Sequence, residues 1–422
     1  MKPNFILLTD SYKLTHHSMY PVDVTKVHSY LEARPGEGYQ IVQWFGLQAV
    51  LKKYFEGPVV ESWMIDEAEA LCQQHFSRPL FNRKGWERIV KVHGGRLPLT
   101  IASVAEGGIH GRGAVLMSVE NTDPQLPWLT NAVESLLLHV WYPTTVATIG
   151  HDLKTFFKSN VPEGMHDFML HDFGFRGVSS VESAEMGGMA HLVNFKGTDT
   201  LPAMQAAQRY YGASLEGLAF SVAASEHSIM TQEGQAGEEG LIRRLIAEHP
   251  GQILSLVADS YNYYDFVKKV VKNADLAKQF GTTVVIRPDS PTPAHPEPSA
   301  LVAWTLENSP NNVLWGDGIG PEGIKDIVLA QPMEQRKRLI FGMGGGLLQK
   351  VNRDTLCFAI KCSAVERDGQ WVNVQKNPLD QTKKSKAGRV WPESGHTVFE
   401  NGVICEQETF EKIRHRAGIM VQ

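Results

Sequence analysis

The chain has 422 residues, room for two or three domains with large cores. Apolar residues make up 42% and charged residues 21%, the proportions of an ordinary globular protein. Its 41 basic and 46 acidic side chains leave a net charge of −5, which excludes the global basic field that nucleic acid or an anionic membrane would require.

At the N-terminus, "MKPNFILLTD" carries too short an apolar stretch before Thr9 and Asp10 for a signal peptide. No later run approaches the roughly 20 apolar residues that span a bilayer. Cys72, Cys357, Cys362 and Cys405 form no C-x-x-C pair and have no histidine at zinc-finger spacing, so they read as reduced thiols. A cytoplasmic protein without membrane or nucleic-acid partners is expected.

The first 150 residues mix strand-like "TKVHSYLEAR" with helix-like "IDEAEALCQQHF". The greasiest stretch, "ESLLLHVWYPTTVATIG", is interrupted by His139 and Pro143, and reads as a buried helix followed by a new segment. From about residue 165 a different beat begins. Short apolar runs stop at a polar or glycine-rich cluster, and a helix-like stretch follows: "FMLHDFGFRG", "HLVNFKGTDT", "AFSVAASEHS", "ILSLVADS", "TTVVIRPDS", "NNVLWGDG" and "RLIFGMGGG". Marked by Asp172, Asp199, Glu226, Asp259, Asp289, Asp317 and Gly344, they lie 27, 27, 33, 30, 28 and 27 residues apart.

That is the pitch of a repeated βα unit, and predicts parallel strands with crossover helices. The fold class expected is α/β, an irregular (β/α) barrel with its chemistry at the C-terminal strand ends. An open doubly wound sheet is the competing arrangement. Segments such as "YNYYDFVKKVVKNADLAKQF" carry apolar residues at helical spacing, as an outer ring requires. The last 60 residues offer strands in "WVNVQKNP" and "HTVFENGVICEQ" around the polar "DQTKKSKAGR", so both termini are expected to build one added α+β domain. The organisation predicted is residues 1–160 as an N-terminal region, 161–360 as the barrel, and 361–422 packing with the N-terminal domain.

The strand ends also carry chemistry. Gly344, Gly345 and Gly346 stand between a strand and a helix, where backbone N–H groups unobstructed by Cβ cradle phosphate. The run matches neither a Walker loop nor G-x-G-x-x-G, and a tight turn is the other reading. Arg287 and Asp289 share one face of an extended segment: an arginine forks onto phosphate, and a carboxylate takes sugar hydroxyls or a phosphate-bound magnesium ion, unless the two simply pair. Asp259 and Asp317 add carboxylates at neighbouring ends. Phe173 and Phe175 offer stacking faces for a flat heterocycle or, by default, core packing, while Arg176 is a charge in need of an anion. Several acids, arginines and a glycine nest around one rim suit a phosphorylated sugar with magnesium.

"TDSYKLTHHSMYP", "LHDFGFRGVSS", "HLVNFKGTDT", "AASEHS", "VIRPDS", "GDG" and "FGMGGGLLQK", in this order, closely resemble the nicotinamide phosphoribosyltransferase family, from Asp10 to about Arg416. The resemblance implies a type II phosphoribosyltransferase fold and a homodimer with shared active sites. The implied reaction joins nicotinamide to 5-phosphoribosyl 1-pyrophosphate, giving nicotinamide mononucleotide and pyrophosphate in NAD salvage, with ATP as a coupled co-substrate and Mg2+ as cofactor.

By resemblance, Phe173 and the Tyr12 of a second subunit sandwich the pyridine ring, and Asp199 reads the carboxamide. A carboxylate there accepts the amide N–H and repels nicotinate. Arg176 and Arg287 fall to ring, ribose or pyrophosphate contacts, Asp289 and Asp317 to the ribose hydroxyls, and Gly316 to substrate binding. Asp259 and Asp289 are the implied magnesium ligands, and Gly344 and Gly345 the 5-phosphate site. Arg34, Arg353, Lys361, Lys376 and Lys383 match family positions that complete the anion site from the other subunit.

His227 matches the family's phosphorylation site, where a neutral imidazole attacks the γ-phosphate of ATP. Asp259 is the expected partner fixing its tautomer. Glu226 is a weaker assistant, because adjacent side chains in an extended stretch point apart. Ala359 departs from a serine often found in the family, the segment after Arg34 and the C-terminal region are shorter than in the vertebrate type, and "RPDSPTPAHPEP" is unusually proline-rich. A nicotinate phosphoribosyltransferase and a non-catalytic nucleotide-binding or signalling relative are the alternatives.

Overall fold

Residues 3–380 and 383–419 are described by a computed structural model, in which the chain divides into two units. One comprises residues 1–148, 209–213 and 352–417, the other 149–208, 214–351 and 418–422.

The second unit is built on seven parallel strands: Leu170–Asp172, Gly197–Thr198, Ala223–Ala224, Ile253–Val257, Thr283–Arg287, Asn312–Trp315 and Leu339–Met343. Numbered first to seventh in chain order, they lie side by side as second, first, seventh, sixth, fifth, fourth, third. The sheet's two edges meet. Thr198 N–H donates to Phe220 O at 3.1 Å and Phe220 N–H to Lys196 O at 2.7 Å, so a parallel bridge joins the second strand to the segment entering the third. This closure decides between the barrel and the open sheet, in favour of an irregular barrel.

Each strand ends within two residues of its expected polar marker, and in the longer strands this is where the apolar run that can be buried on both faces ends. In the fourth strand, for example, Leu254 to Val257 are all buried. Helices follow the strands, among them Val181–His191, Tyr263–Lys272, Pro298–Asn308 and Pro321–Leu329. Asn262 caps the second of these by accepting the Asp265 N–H, and prolines open the last two at positions where the N–H has no helical acceptor.

In the first unit a seven-stranded antiparallel sheet runs Gln370–Asn373, Phe358–Arg367, Val24–Ala33, Val115–Asn121, Leu99–Ser103, His396–Glu400, Val403–Ile404. Strands from both termini thus share one sheet, as the added α+β domain requires. Val24–Ala33 and Phe358–Arg367 pair along most of their length, with Tyr30 opposite Lys361. The final hairpin turns at Asn401 and Gly402, both at positive φ (49° and 85°), which suits asparagine and glycine.

One expectation is corrected. The greasy stretch breaks at His139 and Val140, between Glu134–Leu138 and Trp141–Asn160, and Pro143 does not end a helix. It stands in the first turn of the second one, where proline costs no hydrogen bond. Among the described residues no helix is long and apolar enough to cross a membrane.

Candidate active site

The C-terminal strand ends of the barrel enclose a cavity of about 690 Å³. Phe173, Arg176, Asp199, Glu226, Arg287, Asp289, Gly316, Asp317, Gly344 and Gly345 all line it, and they come from six of the seven strand ends. The fourth strand end contributes Asp259, which faces the rim through its contact with His227.

Phe173 leaves the first strand with its N–H on Met343 O at 3.2 Å. Its half-buried ring packs over two glycines of neighbouring strands: a Cβ on Gly342 would stand 2.0 Å from its Cε2, and one on Gly316 at 3.5 Å. Gly342 went unread in the sequence, although a glycine inside an apolar strand run is the usual sign of such a close approach. At the second strand end Asp199 is exposed, and its carboxylate accepts the Ser221 hydroxyl.

The glycine run divides by function. A Cβ on Gly346 would lie 2.4 Å from Ile319 O and one on Gly344 3.1 Å from Phe173 O, so these two answer to packing. Around Gly345 there is open space. It begins the short helix Gly345–Leu348, whose first N–H groups have no helical acceptor. Turn and phosphate cradle are therefore compatible here. Lys350, the last residue of the quoted motif and unassigned in the sequence reading, also lines the cavity.

Arg287 donates to Ser225 O at 2.8 Å and sits 3.9 Å from Asp289, a loose pairing that leaves most of its donor fork uncommitted. Ser225 in turn is tied to the fourth strand, its N–H on Ser255 O and its hydroxyl accepting the Val257 N–H. This anchors the residues that follow. His227 Nε2 lies 2.9 Å from Asp259 Oδ1 and its Nδ1 3.9 Å from Asp289 Oδ2, with the imidazole 49% exposed. Glu226 is extended and its carboxylate accepts the Ser228 hydroxyl, away from His227.

Burial, with repulsion from Asp289 and Asp259, holds the Asp317 carboxyl above its ordinary range. Three acids thus share one rim. Among the described residues no three His, Cys, Asp or Glu side chains converge into a metal cage. The acids at this rim are donors of the kind that magnesium takes, one or two carboxylates together with substrate phosphates.

The remaining expected residues belong to the first unit. Tyr12 is exposed. Burial lowers the Lys361 ammonium pKa; Glu134 opposes the shift, and the charges of Arg34, Lys376 and Arg353 add to it. Lys383 pairs with Asp380 at 3.1 Å.

Asp172, at the base of the first strand end, is fully buried and accepts the Gly174 N–H at 2.7 Å; burial pushes it from 3.8 up to about 6. A carboxyl raised on folding stabilises the fold below about 4 and loses that contribution as pH rises through 6, on the order of 2–3 kcal/mol for such a shift. Asp172→Asn keeps an acceptor for Gly174 without the charge. Its stability relative to wild type is expected to rise between pH 4 and pH 7, read as urea midpoints; a pH-independent difference would contradict this.

A family model of the nicotinamide phosphoribosyltransferase N-terminal domain matches residues 4–101, and one of the nicotinate phosphoribosyltransferase family matches residues 168–417. Among solved structures, human nicotinic acid phosphoribosyltransferase aligns over 98% of this chain and 93% of its own at a TM-score of 0.63 and 15% identity. Nicotinate-nucleotide pyrophosphorylase from Pyrococcus furiosus aligns over 99% and 97% at 0.58 and 16%. The fold is that of a type II phosphoribosyltransferase. A nicotinamide phosphoribosyltransferase of Xanthomonas campestris pv. campestris (strain 8004) is 38% identical over 98% of both chains, and one of Mycoplasma pneumoniae is 30% identical over 91% of this chain and 94% of its own. The chain belongs to the nicotinamide phosphoribosyltransferase family.

Proposed function

We propose that this enzyme transfers the ribosyl phosphate of 5-phosphoribosyl 1-pyrophosphate to nicotinamide, forming nicotinamide mononucleotide for NAD synthesis. The observation that carries the choice of base is Asp199, an exposed carboxylate lining the same cavity as the Phe173 ring. It accepts the carboxamide N–H and repels a carboxylate at that position, while Phe173 stacks on the pyridine. The ring nitrogen bonds to ribose C1 as the C1–O bond to pyrophosphate breaks, and the electron pair leaves with pyrophosphate.

In this reading Arg176, Arg287 and the Gly344–Gly345 backbone receive the phosphates, and Asp289, Gly316 and Asp317 the ribose. Asp259 and Asp289 would hold magnesium, which when bound neutralises phosphate charge. Burial and, after it, the charges of Asp289 and Asp259 raise Asp317, and a bound cation relieves the second of these causes.

ATP is coupled at His227. A carboxylate can only accept, so the imidazole proton sits on Nε2 toward Asp259, and the Nδ1 lone pair is the nucleophile. The Nδ1–P bond forms as the bond from the γ-phosphorus to the bridging oxygen breaks, releasing ADP; water later takes the phosphoryl group. Glu226 has no direct part in this step. Tyr12 and the first unit's Arg34, Arg353, Lys361, Lys376 and Lys383 serve a second subunit's cavity in a homodimer.

The test is product identification by mass after incubation with the sugar pyrophosphate, magnesium and nicotinamide or nicotinate, with and without ATP. Nicotinamide mononucleotide is expected, with loss of activity on dilution to monomer. Asp199→Ser should cut the nicotinamide preference, in kcat/KM, by tenfold or more. Preferential use of nicotinate by the wild type, or an unchanged preference in the variant, would refute the assignment.

A further inference from the structure

The carboxylate that holds His227 is itself held. Asp259 spends Oδ1 on the imidazole and receives on Oδ2 the hydroxyl of Ser290 at 2.5 Å, a length typical of an O–H donating to a charged oxygen. Ser290 stands three residues past the fifth strand and Asp259 two past the fourth, strands paired through Arg287 and Val257. We propose that Ser290 is a positioning residue for phosphoryl transfer: by fixing the Asp259 carboxylate it holds the His227 ring and keeps Nδ1 as the attacking nitrogen. This rests on the phosphohistidine reading above.

The loop behind Ser290 is built to stay still. Thr292 and His295 exchange two backbone hydrogen bonds of 3.1 and 3.0 Å, closing a turn over Pro293 that Pro291 and Pro296 flank in "SPTPAHP". Tyr264, in the helix that follows Asp259, clasps this turn: its hydroxyl lies 2.6 Å from Thr292 Oγ1 and 2.7 Å from His295 Nδ1. The loops carrying Asp259 and Ser290 are therefore fastened twice, once at the carboxylate and once behind it. Prolines limit the unfolded loop's freedom, so the ordered form costs less entropy. The proline load so absorbed braces the Asp259 contact.

The experiment follows histidine-bound, acid-labile label from γ-labelled ATP in the purified full chain. Ser290→Ala is expected to lower the rate of label uptake about tenfold at saturating ATP, with KM for ATP within twofold of wild type. Ser290→Thr, which retains the hydroxyl, should restore the rate to within twofold. Tyr264→Phe should lose about threefold, through the clasp alone. If Ser290→Ala does not fold, Ser290→Cys keeps the side chain's size without a strong donor and is read in the same way. A wild-type rate in the hydroxyl-less variant, or an equal loss in Ser290→Thr, would overturn the proposal. A wild-type enzyme that takes up no label would instead overturn the phosphohistidine reading, and this assignment with it.

Discussion

Replacing His227 with alanine is expected to abolish histidine-bound label from ATP and to lower ATP hydrolysis by about a hundredfold or more, a magnitude ordinary for deleting a covalent nucleophile. ATP should then no longer accelerate mononucleotide formation. The reason is geometric. His227 is the imidazole at this rim that is both half exposed and held, with one nitrogen fastened to Asp259 at 2.9 Å and the other 3.9 Å from Asp289. Asp259→Asn gives a sharper version of the same test. Its amide can donate to Nε2, which moves the imidazole proton to Nδ1 and blocks the attacking lone pair while the ring stays in place. Phosphorylation should fall by a similar factor although His227 is present. Measured ATPase and label uptake in both variants decide the matter; a fully active His227→Ala enzyme would end the phosphohistidine mechanism.

The legible part of this protein is the part where local composition and function coincide. Each barrel strand stops within two residues of a carboxylate or a glycine, so Asp172, Asp199, Glu226, Asp259, Asp289, Asp317 and Gly344 marked the strand ends in the sequence. Sheet closure was less legible, since it depends on two hydrogen bonds between Phe220 and residues 196–198. Contacts that support the chemistry were invisible for a related reason. Ser290 meets Asp259 across 31 residues of sequence and Ser221 meets Asp199 across 22. Serines at strand ends carry no signal of which carboxylate they will touch. Pro143 misled because proline breaks a helix interior but not its first turn. Glu226 shows the converse: its place in the chain beside His227 was plain, yet extended backbone turns the two side chains apart and gives its carboxylate to Ser228.

Gly342 makes the strongest case for a residue whose importance lies in what it lacks. It pairs with His171 in the parallel sheet, where alanine would ordinarily be accepted and would even reduce the entropy lost on folding. The obstacle is Phe173, since a Cβ at Gly342 would lie 2.0 Å from Cε2, 2.2 Å from Cδ2 and 2.8 Å from Cζ. Backbone in the middle of a seven-stranded barrel cannot retreat, so the half-buried ring must. Gly342→Ala is therefore expected to fold with a melting temperature within a few degrees of wild type while KM for nicotinamide rises at least tenfold. Aromatic stacking on a heterocyclic base contributes about 1–3 kcal/mol, which sets that scale. The discriminating control is a double-mutant cycle. In a Phe173→Ala background the ring is already gone, so adding Gly342→Ala should leave KM unchanged, and full additivity of the two losses would mean that Gly342 acts through something other than the Phe173 ring.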